Sequence, residues 1–475
     1  MRCLFILLLV AASSAFAADP VAHEWISSAD GKQKLERLPP IPLGGVPTSG
    51  IAIHVDASRP YQPVEGFGAA FTDSSAYLMN RKLSATQRAD LMRELFDPKN
   101  GVGLSVVRVP IGASDFSLSH YSFDDMPPGK KDPKLAHFSI EHARADVLPM
   151  LREALAINPG LKVFISPWSP PAWMKNTDNL VKGRLDPKYY AAYANYFDKT
   201  LAAFKAEGVP VHALTIQNEP HFEPPDYPGM RMEPGARAEF IRDHLGPMLK
   251  KKWPAVKLFD WDHNWDQPES PLAVLADAKA RPFVAGIAWH CYNGDVKAQS
   301  STRAGYPDKE IWMTECSGGN WAPDWGGSLD WMTQNLVIGN VRNWGRGAIL
   351  WNLALDETSG PHAGGCGDCR GVVTIDSKSG AVTRNVEYYV LAHVSRFVKA
   401  QARRIESDSG VDDLHTAAFQ NLDKSIALVA VNVGRAERVF SVVEGARSFP
   451  VTLPAGSVAT FFWRPSRDST SNVTR

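Results

Sequence analysis

Cysteine is scarce, at 5 in 475 residues, too few for a chain held together by a disulfide framework. Charge of one sign is not in excess. Lys plus Arg and Asp plus Glu stand at 51 each, so no global field draws the chain to nucleic acid or to an anionic membrane surface, and the expected partner is neutral. Past the N-terminal leader, no stretch reaches the roughly 18 apolar residues needed to span a bilayer, which excludes an integral membrane segment in the mature chain. Internal repeats, coiled-coil heptads, low-complexity tracts and a phosphate-cradling Gly-rich motif after a strand are missing as well. What remains is an ordinary globular protein, 44% hydrophobic and 21% charged, with Gly (36) and Pro (35) below the share that signals disorder. Such a length accommodates one large barrel with an accessory domain, or two to three modules. The 14 Trp suit a partner with apolar ring faces, such as a sugar, although most indoles pack in cores.

Met1-Arg2, the apolar run 4–12 and Ala15-Phe16-Ala17 follow the three-part pattern of a secretory signal peptide. Residues 1–17 are therefore read as a leader and the mature protein as secreted or periplasmic. Cleavage leaves Cys291, Cys316, Cys366 and Cys369. Residues 466–475 read as a flexible tail, whose sequon at Asn472 carries little weight.

Eight short apolar runs, at 66–71, 104–110, 161–166, 211–217, 256–260, 284–289, 311–314 and 347–352, alternate with helical patterns such as 85–96, 140–157, 189–204, 236–249 and 329–341. Strands alternating with helices imply a parallel sheet. Because none of the eight looks like a polar edge, the expected α/β fold is a closed (β/α)8 TIM barrel over 65–400. From about 401 the runs 414–419, 425–432, 438–443 and 457–463 read as closely spaced antiparallel strands. A sandwich of so few strands is marginal alone, so the segment 18–64, with its strand at 51–55, is expected to join 401–465 in a flanking all-β sandwich.

Barrel enzymes carry their chemistry at the C-terminal ends of the strands. Glu219 follows the fourth run in Gln217-Asn218-Glu219-Pro220, and Glu315 follows the seventh in Met313-Thr314-Glu315-Cys316. A greasy strand ending in a lone Glu makes poor structural sense unless the carboxylate is functional or paired with Arg or Lys. Either Glu alone could cap a helix or make a salt bridge. Two on opposed strands suggest glycoside hydrolysis, which places carboxylates on both sides of one bond, about 5–5.5 Å apart when configuration is retained.

Motifs along the whole barrel resemble glycoside hydrolase family 30, which includes the glucosylceramidases. They are Glu65-Gly66-Phe67-Gly68-Ala69-Ala70-Phe71-Thr72-Asp73, Arg108-Val109-Pro110, Ala113-Ser114-Asp115-Phe116-Ser117, Ser166-Pro167-Trp168-Ser169-Pro170-Pro171, Asn218-Glu219-Pro220, Trp289-His290-Cys291-Tyr292, Thr314-Glu315 and Trp351-Asn352-Leu353. The resemblance implies a retaining β-glycosidase without cofactor or metal, with Glu219 as acid/base and Glu315 as nucleophile. Asn218 would bind the sugar 2-OH, Asp73 the distal hydroxyls, and Trp168 and Trp351 would form the pocket walls, with His290 lining it. Arg108 and Tyr292 are the groups to keep Glu315 anionic, while a partly apolar setting or the neighbouring carboxylate is expected to raise Glu219 toward the working pH.

The main functional expectation is a glucosylceramidase-type enzyme acting on terminal β-glucosides, with a β-glucoside, β-glucan or glycolipid as substrate. The alternatives are an endo-β-1,6-glucanase or another β-glycosidase such as a β-xylosidase, a non-catalytic carbohydrate-binding barrel, and a metal-dependent hydrolase using His263 or His290. Cys366 and Cys369 are expected to form a loop-closing disulfide, since no second ligand pair supports zinc. Cys291 and Cys316, turned from the mouth by alternation, are expected to be buried free thiols.

Overall fold

The computed structural model describes residues 20–44 and 50–465; the leader and tail expected from the sequence lie outside them. Eight parallel strands close a barrel: β1 (Gly66–Ala70), β2 (Val106–Ile111), β3 (Lys162–Pro167), β4 (Ala213–Thr215), β5 (Lys257–Asn264), β6 (Gly286–His290), β7 (Glu310–Glu315) and β8 (Gly345–Leu350). Each pairs with its sequence neighbours, and β8 returns to β1. Every position of β1, β2 and β6 is buried, as expected for strands covered on both faces. Val106, Phe164, Ala213, Phe259, Ala288, Trp312 and Ile349 fill the interior. Gly347 makes room for the largest of these, because a Cβ there would lie 2.6 Å from the Trp312 ring.

The expected helix at 85–96 is present, opened by a capping box between Ser84 and Gln87. That expected at 140–157 is broken at Asp146, whose φ of −142° is not helical. Among the described residues, no helix is long and apolar enough to cross a membrane.

The sandwich draws on both ends of the chain. Val21–Ser27 pairs with Ser457–Trp463, followed in order by Ile426–Asn432, Leu414–Gln420, Arg403–Ser407 and Ile51–Pro63. Ile51–Pro63, 13 residues long, also pairs with Arg438–Glu444, which forms a hairpin with Arg447–Leu453. That last strand went unread in the sequence because Pro450 interrupts it; as an edge strand it needs no proline N–H. Ile426–Asn432 is buried throughout. Ile426, Leu428 and Ala430 enter the sandwich core, while Ala427, Val429 and Val431 join the barrel core, so period-two alternation welds the domains.

Candidate active site

The site is built around Asp262, a carboxylate that the sequence reading did not single out. Opposite β6, Trp261 pairs with Ala288 and His263 with Trp289, leaving Asp262 as the extra residue of a bulge. Trp261 and Asp262 both have positive φ, which turns the carboxylate into the barrel. There it accepts from Arg108 on β2 (2.7 Å), Ser166 on β3 (2.8 Å), Thr215 on β4 (2.6 Å) and Thr314 on β7 (2.6 Å), and lies 3.1 Å from His290 Nε2 on β6. Burial acts to raise Asp262, but the Arg108 charge and these donors hold it well below the usual carboxylate range.

Arg108 is the second hub. Its guanidinium donates to Glu315 at 2.6 Å and to Asn218 at 2.7 Å, and lies over the rings of Trp168 and Trp351 at 4.8 and 5.7 Å. The two indoles stack on each other, 5.0 Å apart, and are nearly fully buried with Phe116 and Cys369. They form a rigid wall behind the guanidinium. Tyr292 donates to the other oxygen of Glu315 at 2.9 Å, so that carboxylate carries both expected donors.

Asn218 and Glu219 lie beyond the end of β4, where alternation no longer forces adjacent side chains apart. Glu219 also has a φ of 47°, and its N–H donates to the Asp262 carbonyl, which turns both residues toward the mouth. His290 Nδ1 lies 3.0 Å from Glu219 and 3.8 Å from Glu315. One nitrogen thus reaches both carboxylates. These distances keep their oxygens below the upper part of the about 6.5–9.5 Å range of inverting enzymes.

His290 is fully buried, with a carboxylate facing each ring nitrogen, an arrangement both nitrogens satisfy only as N–H donors. Burial alone would lower it, but Glu315, Asp262 and Glu219 raise it to about 9. The same proximity corrects the expectation for Glu219. Burial acts to raise that carboxyl, but the imidazoles of His263 and His290 outweigh it and hold it below its ordinary range.

Asp73 is hydrogen-bonded to a different set of partners. Its carboxylate accepts from Tyr121 at 2.8 Å, and burial raises it to about 6 despite the hydroxyls of Tyr121 and Ser117. Asp115, quoted above only as part of a motif, lies within electrostatic reach of both glutamates: burial and the charges of Glu315 and Glu219 push it up to about 8. Its loop meets the one after β8, where the Ala363 N–H donates to the Asp115 carbonyl.

The Cys366–Cys369 disulfide closes that loop as expected, with Cα atoms 5.7 Å apart. The free-thiol expectation for Cys291 and Cys316 is overturned, since the two form a disulfide, Cα to Cα 5.3 Å. His290 and Glu315 are register partners on β6 and β7, so the residues that follow them emerge side by side within bridging range.

Comparison with known proteins agrees with this architecture. The profile of the glycosyl hydrolase family 30 TIM-barrel domain matches residues 64–398, and that of the family 30 beta sandwich domain matches 401–461. The chain is 32% identical over 468 residues to an endo-1,6-beta-D-glucanase of Trichoderma harzianum, covering 93% of each. It is 28% identical over 448 residues to the lysosomal acid glucosylceramidase of Mus musculus, covering 88% of this chain and 84% of that one. The solved structure of the endo-beta1,6-glucanase BT3312 superposes with a TM-score of 0.86 at 33% identity, covering 94% of this chain and all of that one.

Proposed function

Since the chain belongs to glycosyl hydrolase family 30 and is a glycoside hydrolase, we propose that it is a retaining endo-β-1,6-glucanase. The observation that carries this reading is the chain-long similarity to endo-1,6-glucanases, in sequence and in structure. It moves the assignment from the glucosylceramidase type, the main expectation from sequence, to the alternative weighed beside it.

In the proposed reaction Glu315 attacks the anomeric carbon while Glu219 gives a proton to the departing 6-oxygen. Water then displaces Glu315 with Glu219 as base. Arg108 and Tyr292 hold the nucleophile's two oxygens and aim it. His290 Nδ1, 3.0 Å away, shares with Glu219 the proton that goes to the leaving oxygen. Asn218, gripped by Arg108, presents its amide to the sugar 2-OH. Asp73 and Asp115 bind distal hydroxyls, and the stacked Trp168 and Trp351 back the ring. Phe222, Tyr292 and Trp321 follow β4, β6 and β7 and stay exposed; they offer stacking faces for glucose units beyond the cleaved bond.

Export through the leader completes the proposal, and two disulfides suit an oxidising compartment. The deciding experiment is the product profile on a β-1,6-linked glucan and on β-glucosylceramide. Short oligosaccharides from the glucan are expected first. Glucose and ceramide from the lipid, with the glucan intact, would return the enzyme to the glucosylceramidase type.

A further inference from the structure

Glu219 sits between two imidazoles supplied by adjacent strands. Its Oε1 lies 3.0 Å from His290 Nδ1 and 3.5 Å from His263 Nδ1, and the three atoms lie within 4.8 Å of one another. Both rings are buried, His263 being 7% exposed. Apart from this 3.5 Å approach to Glu219, the Nδ1 of His263 has no hydrogen-bond partner among the described residues, and a buried nitrogen so weakly satisfied calls for an explanation. His290 is backed from behind, where Asp262 holds Nε2 at 3.1 Å. A carboxylate behind an imidazole fixes the ring and its tautomer, leaving the opposite nitrogen for a ligand.

Two imidazole nitrogens and one carboxylate oxygen within 4.8 Å of one another are a donor set suited to Zn2+ and its late first-row neighbours. From this geometry we propose that Glu219, His263 and His290 form a binding site for such a divalent cation, and that filling it switches hydrolysis off. The ion takes the place of the His290 Nδ1 proton, which leaves to solvent, while Nε2–H stays on Asp262. With ligand bonds of about 2.0–2.2 Å, tetrahedral ligand atoms lie about 3.4 Å apart, near the 3.0 and 3.5 Å at which the two imidazole nitrogens already stand from Glu219 Oε1. A coordinated Glu219 oxygen can neither protonate the leaving group nor activate water. Mg2+ and Ca2+, which take oxygen ligands, leave the site alone. The binding claim stands on the three side chains; the inhibition claim rests on the acid/base role proposed above for Glu219.

The test is calorimetric titration of the whole chain with Zn2+, run beside turnover of an aryl β-glucoside and followed by chelation with EDTA. One ion per chain is expected, with activity falling in step with occupancy and returning on chelation, and Mg2+ without effect. His263→Gln should weaken Zn2+ binding by more than about tenfold, and Glu219→Gln should do the same, with binding read by calorimetry independently of its reduced turnover. An unchanged unfolding midpoint certifies each variant, and His290→Gln is the further ligand variant should one of these fail to fold. Absence of stoichiometric binding, or equal affinity in wild type and both variants, overturns the site. Binding without loss of activity overturns the switch. Stoichiometric binding by a protein that hydrolyses no glycoside would retain the site and count against the proposed function instead.

Discussion

The two ends of the barrel carry charge in opposite ways. At the N-terminal end Glu65 meets Lys162 at 2.7 Å, Arg346 at 3.0 Å and Lys257 at 3.5 Å, while Glu310 meets Lys257 and Arg346 at 2.8 Å each. Cations outnumber carboxylates there. At the C-terminal end Glu219, Asp262 and Glu315, with Asp115 nearby, share Arg108 and His290. Carboxylates are in excess, and the burial is deeper. Two histidines report the difference. Burial and the charges of Lys162 and Lys257 push His212 down to about 4 against the pull of Glu65, whereas His290 rises to about 9. A network with every carboxylate matched belongs to stability; surplus buried negative charge persists where chemistry uses it.

The sharpest way to break this comparison is to remove one carboxylate from each end. Glu315→Gln should take hydrolysis of the glucan below detection, since no covalent intermediate forms, and leave the thermal midpoint nearly unchanged; retained turnover would end the two-glutamate assignment. Glu219→Gln should lower kcat/KM on the glucan by about 10²–10⁴-fold. The loss should be smaller for the bond-breaking step of an activated aryl glucoside, as read by burst kinetics, and an equal loss on both would argue against an acid role.

Glu65→Gln should do the converse. It leaves Lys162 without a carboxylate and Lys257 and Arg346 with Glu310 alone, and its partly solvated partners place the loss near or below the lower end of the about 3–5 kcal/mol of a broken buried pair. Denaturant unfolding should show that loss while kcat/KM stays within about twofold; a large kinetic defect would blur the division between the two ends.

The smallest effect is one of pH. Unfolded, His212 takes up a proton near pH 6.5, but folded only near pH 4, so the unfolded chain binds more protons between these values and stability falls as pH drops through them. Glu65, held down to about 2, adds loss in the same direction at still lower pH. Wild type should therefore lose on the order of 2 kcal/mol more than His212→Gln between pH 7 and 4; parallel curves would show that His212 does not sense the network.

Much of this was legible in the chain. All eight barrel strands coincide with apolar runs, because a strand covered on both faces has no polar positions with which to hide its pattern. Glu219 and Glu315 stood out for the same reason, as charges at the ends of greasy segments. Asp262 did not, since it lies inside Asp260-Trp261-Asp262-His263, where nothing local marks which acid a bulge will turn inward. Asp73 was named from the resemblance, whereas Asp115 stood only inside a quoted motif, since an acid in a loop carries no local mark of the charges it will face.

By itself the sequence determined the barrel, its flanking sandwich and the two glutamates, since period, burial and strand ends are local properties that residue order encodes directly. The rest was decided by the tertiary structure. Strand register brought Cys291 to Cys316, positive φ at Glu219 and Asp262 re-aimed both carboxylates, and closure of the barrel set His290 between them. Each depends on how distant strands meet, and no neighbouring residue along the chain carries that information.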